Sequence, residues 1–166
     1  MAVRAKPTHR TAADIAIRVA NLADLDLIMQ QRRKMFRDDM GTPEAALDQM
    51  ELTSRPFIER GLREGFYYGW LAVADGAVVA GTGMIIHDWL THPLWPQLGK
   101  RAYILNVYTE PQFRRRGLAR KLMQEVIDCA KREGLGVVWL HATERGRPLY
   151  EQLGFETTNE MKLVLR

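Results

Sequence analysis

The run Ile104-Leu-Asn-Val-Tyr-Thr-Glu-Pro-Gln-Phe-Arg114-Arg-Arg-Gly117-Leu-Ala119 decides how this 166-residue chain is read. Residues 103–109 have the apolar, β-branched character of a strand. A short basic turn follows at Arg114, Arg115, Arg116 and Gly117, and it opens a long amphipathic helix. The apolar positions of that helix are Leu118, Leu122, Met123, Val126, Ile127 and Cys129/Ala130, and Gly134 ends it. A helix start offers N–H groups without intrahelical acceptors, together with the positive end of the macrodipole. Gly117 and Ala119 keep side chains out of the way of the main chain, and three guanidinium groups add forked donors for phosphate oxygens. The turn is therefore expected to hold a pyrophosphate. It is not a P-loop, which needs Gly-Lys-Ser/Thr where this chain has Gly117-Leu118-Ala119. Nor is it a dinucleotide-binding turn, which needs three glycines where this chain has one.

Moving outward, residues 15–19 alternate like a strand, and Asn21 is an N-cap with Asp24 three residues on. Leu22, Leu25, Ile28, Met29, Met35 and Phe36 fall at helical spacing, so a helix is expected to about Met40. Thr42 and Pro43 restart the chain. Two short helical pieces are expected next, separated around Thr53-Ser54-Arg55-Pro56 and ended by Gly65. Residues 66–74 and 77–86 flank Asp75-Gly76, the strongest hairpin signal in the chain. Residues 87–101 read as a loop holding Trp89, His92, Pro93, Trp95 and Pro96. After the long helix come a strand at 137–142, a short helix at 147–153 and a last strand at 161–165. The plan is mixed α/β: β-α-α-β-β-β-α-β-α-β.

Composition sets the outer limits. Apolar residues make up 46% and charged residues 27%, which excludes intrinsic disorder. A chain of this length buries roughly 70% of the surface it exposes unfolded, enough for a core without staples. Residues 1–12 read as a flexible tail and 13–166 as a single domain; a basic, acid-poor transit peptide is the other reading of the tail. The single Cys129 excludes an internal disulfide and a cysteine-built zinc site, and it points to a reducing, cytoplasmic compartment. No apolar run approaches the ~18 residues of a membrane span, and no metal cluster is expected. Lys+Arg number 24 against 20 Asp+Glu, a formal charge of +4 that by itself suits an anionic partner or simple solubility.

Arg114-x-x-Gly117-x-Ala119 resembles the Gln/Arg-x-x-Gly-x-Gly/Ala signature of the GCN5-related N-acetyltransferases, with Pro111 and Phe113 where that family often has Pro and an aromatic. Leu149-Tyr150-Glu151-Gln152-Leu153-Gly154-Phe155 is similar to the family's Leu-Tyr-x-x-x-Gly-Phe segment. The close resemblance covers residues 103–155. It implies the family's fold: a central, mostly antiparallel twisted sheet of six to seven strands with a splayed pair, and helices on both faces. It also implies acetyl-coenzyme A as cosubstrate and an amine of a small molecule, peptide or protein as acceptor. Dimers are common in the family, so a homodimer is one of the states it implies. Carried onto these positions, Val107, Tyr108 and Thr109 hold the pantetheine arm through their main chain. Arg114, Arg115, Arg116, Gly117, Leu118, Ala119 and Arg120 surround the pyrophosphate, and Tyr150 is the acid that protonates the leaving thiolate. Thr143 stands where many members have a cofactor-contacting Asn, and Tyr103 stands where the protein-acetylating branch has a catalytic Glu.

The remaining candidates rest on position alone. His141, at the end of a core-like strand, is the best-placed imidazole for a base; its alternative is a structural histidine. Asn106 either faces the acyl group or packs beneath the sheet, because this strand often carries a bulge. Glu110 caps the turn or is solvated. Arg33, Arg37, Asp38 and Asp39 close the first helix, and the 87–101 loop and Glu160 stand near the expected acceptor side. A binding module that senses acetyl-coenzyme A without catalysis is the competing function. Nucleic-acid binding through residues 114–116 is opposed by Glu110, Glu125 and Asp128 around them.

Overall fold

The structure is a computed structural model, and it describes residues 15–94 and 99–165. The tail at 1–12, together with Trp95 and Pro96, lies outside the described residues. Strand β1 (Ile15–Val19) leads through Asn21, whose side chain accepts from Ala23 N while Asp24 accepts from Asn21 N, both at 2.9 Å. That reciprocal cap is the one read from the sequence. It starts a short 3₁₀ turn (Leu22–Asp24) that runs into helix α1 (Leu25–Met40).

Helix α2 (Glu44–Glu64) is continuous, which corrects the expectation of two pieces. Pro56 removes one helical N–H, but Leu47 and Ile58 are buried on either side of it. Eleven residues at 100° each bring those two onto one face, so the buried stripe carries the helix past the proline. The Thr53 hydroxyl lies 3.1 Å from the Met50 carbonyl in the turn before it.

Strands β2 (Tyr67–Ala74) and β3 (Ala77–Asp88) are joined by Asp75 and Gly76, both at positive φ (50° and 78°), which is the requirement of a type I′ turn. Strand β4 (Lys100–Thr109) runs antiparallel to β3, and β5 (Val138–Leu140) lies parallel to β4. Helix α3 (Leu118–Arg132) crosses between them, and α4 (Arg147–Gln152) follows β5. The sheet order is β1-β2-β3-β4-β5, antiparallel except for the last pair.

Five strands are present among the described residues, where six to seven were expected. Residues 161–165 form no strand. Their apolar positions are exposed, Met161 at 97% and Leu165 at 86%, and they meet no sheet edge that would satisfy their backbone. The loop at 87–101 is shorter than expected at both ends, since β3 extends to Asp88 and β4 begins at Lys100.

Helices cover both faces. On one, α3 buries Leu118, Leu122, Met123 and Val126 against Met84, Ala102 and Ile104. On the other, Ile28, Met29 and Ile58 from α1 and α2 meet Tyr67 and Leu71. Cys129 is buried on the inner face of α3, a small core residue whose burial pushes its thiol pKa up. No helix among the described residues is long and apolar enough to cross a membrane, and none of them form a group of three or more metal-ligating side chains.

Two features of β4 build the site. Its pairing with β5 ends at Ile104 opposite Leu140, so residues 105–109 have no strand partner on that side and the sheet splits open. Its pairing with β3 slips as well: Gly83 faces Leu105 and Gly81 faces Tyr108, leaving Thr82 opposite both Asn106 and Val107. The extra residue is a β-bulge centred on Asn106, a non-glycine residue at φ 57°. Alternation breaks there, with Leu105 and Asn106 both on the α1–α2 face and Val107 on the α3 face.

Candidate functional site

A cavity of about 660 Å³ opens where β4 and β5 part. Val107, Tyr108 and Thr109 line one wall, and Phe113, Arg114, Arg115 and the start of α3 (Gly117 to Arg120) line the floor. Thr143, Arg145, Gly146, Leu149, Tyr150 and Gln152 close the far side, with Asp39 arriving from the end of α1.

The basic turn presents open main-chain donors. The first helical hydrogen bond of α3 runs from Lys121 N to Gly117 O at 3.1 Å, so the N–H groups of residues 115–120 have no main-chain acceptor among the described residues. Gly117 has φ 76°, and a Cβ placed on it would meet no heavy atom within 4 Å, so the space in front of the turn is open. Arg114 is fixed by its Nε donating to Thr109 O at 2.9 Å, and it lies 3.6 Å from Asp38. Arg120 is held by Gln152 Oε1 at 2.5 Å. A doubly charged phosphate pair is what such a donor set fits.

Tyr150 is 8% exposed and edge-on to Phe155 at 5.8 Å between centroids. Its hydroxyl makes no hydrogen bond to any described residue. Burial pushes its pKa up to about 12, helped by the negative charge of Asp39, so the phenol stays protonated at neutral pH. Asp39 accepts from Arg145 Nη1 through Oδ1 at 2.6 Å, which leaves Oδ2 without a partner among the described residues. Tyr108 donates to Asp38 at 3.1 Å; burial first, then the nearby Glu110 and Asp38 charges, push its pKa up. Glu110 pairs with Lys34 at 2.6 Å, and so ties α1 to the turn rather than standing solvated.

The structure brings most of the positions singled out in the sequence to this cavity: Val107, Tyr108, Thr109, Arg114, Arg115, Gly117, Leu118, Ala119, Arg120, Thr143 and Tyr150. Three lie elsewhere. Arg116 is exposed and stacks over Phe113 at 5.1 Å. His141 is exposed and hydrogen-bonded to the Tyr103 hydroxyl, away from the cavity lining. Asn106 is buried on the α1–α2 face, where it accepts from Arg32 Nη1 at 2.6 Å and donates to Tyr67 Oη at 3.1 Å. Arg145 was missed, and no local signal marks it, because its partner Asp39 is 106 residues away in the chain.

Comparison with known proteins agrees with this architecture. A stretch of 57 residues is 37% identical to the [ribosomal protein bS18]-alanine N-acetyltransferase of Salmonella typhimurium and 33% identical to that of Escherichia coli K12. The stretch is 32% of this chain and 38% of those relatives, so well under half of their length is matched. The GCN5-related N-acetyltransferase of Ralstonia eutropha JMP134 superposes with a TM-score of 0.87 and 35% identity, over 92% of this chain and 99% of that one. A predicted acetyltransferase of Clostridium acetobutylicum, solved with acetyl-CoA, shares the fold at a TM-score of 0.84 and 23% identity, over 92% and 96% of the two chains. The profile of the acetyltransferase (GNAT) family matches residues 29–155, about three quarters of the sequence, and the chain belongs to that family.

Proposed function

We propose that this chain transfers an acetyl group from acetyl-coenzyme A directly to a primary amine of a small molecule or a peptide. One observation carries the reading: a single cavity joins the open donors of the basic turn, the gap between β4 and β5, and Tyr150. The residues fit the cosubstrate. Main-chain N–H groups of residues 115–120, with Arg114, Arg115 and Arg120, would hold the phosphates. The unpaired edge of Val107, Tyr108 and Thr109 would hold the pantetheine arm, and the Thr143 hydroxyl stands beside it.

Acetyl-coenzyme A supplies an activated thioester, whose sulfur leaves as the amine nitrogen bonds to the carbonyl carbon. The bulge at Asn106 turns Val107 into the cavity, and a main-chain N–H there aimed at the developing oxyanion would be worth a few kcal/mol. Asp39, through Oδ2, draws a protonated amine to the Tyr150 end of the cavity, and the nitrogen loses its proton to solvent before it attacks. Tyr150 donates to the sulfur as negative charge grows there. With its pKa near 12, complete transfer to a thiolate of pKa about 8.5 is uphill by about 5 kcal/mol. Its main work is hydrogen-bond donation; the second proton, shed by the nitrogen once it is bonded to the carbonyl carbon, goes to solvent, and a solvent proton completes the thiol.

The test is thiol release from acetyl-coenzyme A across amines, amino acids, polyamines, aminoglycosides and peptide N-termini, beside calorimetric binding of the cosubstrate. Turnover with at least one class is expected. Binding with no thiol released by any amine would replace the enzyme with a sensor.

A further inference from the structure

Six large apolar side chains stand open to solvent in two short segments: Met161, Leu163, Val164 and Leu165 in one, Trp89 and Leu90 in the other. Each is more than half exposed, Trp89 least at 55% and Met161 most at 97%. One arginine ties the two segments together. The Arg101 guanidinium lies over the Trp89 ring, 5.0 Å from its centroid, and over the Trp139 ring at 4.3 Å. It also pairs with Glu160, the residue before Met161. Both segments therefore leave the fold at one place, the Lys100 end of β4. A large apolar residue presents roughly 150 Å² when fully open, so the six together expose on the order of 700 Å². Monomers rarely leave more than a few hundred Å² of apolar patch open, whereas a stable interface takes about 800 Å² from each partner.

The path of the chain explains why residues 161–165 are bare. Phe155 packs edge-on to Tyr150 in the cavity wall, and Glu160 stands at Arg101, at the other end of β4. The residues between them thus run from one end of the sheet to the other, opposite in direction to β5. That strand is the edge of the sheet, and its first pair is Val138 with Ala102, the residue after Arg101. By Glu160 the chain has passed the whole of the β5 edge, and residues 161–165 continue beyond it with no strand of the described residues alongside. Their main-chain groups are as open as those of an edge strand.

An identical segment completes them. In an extended chain Met161, Leu163 and Leu165 share one side. Paired antiparallel about a two-fold axis, Leu163 stands opposite its own copy, Met161 opposite Leu165, and Lys162 opposite Val164. Every apolar side chain on that side then meets another, and no like charges are set against each other. A two-stranded ribbon alone is marginal in water, and Trp89 and Leu90 at its root supply the apolar surface it rests on. We propose that residues 161–165 are the association strand of a homodimer, pairing with the same residues of a second copy about a two-fold axis at Leu163. The interface lies at the end of the sheet away from the acetyl-transfer cavity, so it stands independently of what that cavity does.

The test is sedimentation equilibrium of the full chain over a range of concentrations, with circular dichroism to show that each variant is folded. A dimer of twice the 19.1 kDa chain is expected at about 50 μM. Leu163→Glu sets two carboxylates against each other at the axis and weakens association about 30-fold or more. Leu52→Glu, on an equally bare leucine of α2, leaves it unchanged. Cross-linking gives a second reading if Leu163→Glu does not fold. In Leu163→Cys the two introduced thiols face each other across the axis, and oxidised glutathione converts most of the chain to a disulfide-linked dimer on a denaturing gel. Leu52→Cys stays monomeric on the same gel, and Cys129, buried in α3, is common to both variants. A monomer at every concentration, a dimer that Leu163→Glu leaves intact, or equal cross-linking of the two cysteine variants overturns the proposal.

Discussion

Replacing Gly117 by Glu tests the cosubstrate site where structure and charge give separate magnitudes. The residue sits at φ 76°, a conformation costing an L-residue about 1–2 kcal/mol, so any side chain there lowers folding stability by about that amount. A Cβ would meet no protein atom within 4 Å, so no steric clash adds to it. The new carboxylate stands instead in the space in front of six open N–H donors. Two unit charges about 6 Å apart interact by about 3 kcal/mol at an effective dielectric of about 20. The turn is solvent-exposed, so half that per phosphate charge is the better figure, or about 3 kcal/mol for two. Gly117→Ala carries the conformational cost without the charge and is the control. Both variants should melt several degrees lower by thermal denaturation. In titration calorimetry, acetyl-coenzyme A should bind the Glu variant about 100-fold more weakly than the wild type, and the Ala variant within a few-fold of it. If the Glu variant binds like the Ala variant, the phosphates do not lie at this turn.

Tyr150→Phe removes a hydroxyl that bonds no described residue, so stability and cosubstrate affinity should hold while kcat falls about 10- to 100-fold in steady-state assays. An unaltered kcat would remove Tyr150 from the mechanism. Tyr67 is buried with its pKa pushed up to about 12, from burial first. Below pH 10 both folded and unfolded phenols are neutral and nothing is lost; between pH 10 and 12 the unfolded phenol ionises while the folded one does not. Tyr67 should therefore account for about 2–3 kcal/mol of the stability lost across that window, read as the difference in urea denaturation between wild type and Tyr67→Phe, since Tyr150 and Tyr108 are shifted the same way and add losses of their own; an equal fall in both proteins would remove Tyr67 from the effect. Asn106→Val places a β-branched residue at φ 57° and leaves Arg32 and Tyr67 without their shared partner. A loss of about 3–5 kcal/mol in chemical denaturation is expected, and a loss under 1 kcal/mol would mean the bulge is not held by that network.

What the sequence made legible was whatever its neighbours decide. The Asp75-Gly76 turn, the Asn21 cap and the α3 stripe each lie within a few residues of their cause, and all three are present. The basic turn belongs with them, since its donors follow from where a helix begins. Features set by distant packing were not legible. Pro56 reads locally as a stop, while Leu47 and Ile58, eleven residues apart on one buried face, carry α2 through it. Residues 161–165 are apolar enough for a strand, but apolar character does not supply an edge to pair with. The side to which Asn106 turns depends on Gly81 and Gly83 across the strand, where a Cβ at Gly83 would meet Tyr67 Oη at 2.4 Å.

Arg32, Arg33 and Lys34 carry the same lesson furthest. In the sequence they are one basic run on an amphipathic helix, and nothing local separates them. Their partners stand far along the chain: Glu51 is 18 residues from Arg33, Glu110 is 76 from Lys34, and Asn106 is 74 from Arg32. Periodicity assigns each residue a face of the helix, but the element packed on that face decides whether the charge is satisfied. Two of the three meet carboxylates and serve to hold α1 in place. The third meets an amide and a ring, so one basic run on one helix ends as two ion pairs and one cation held by neutral partners.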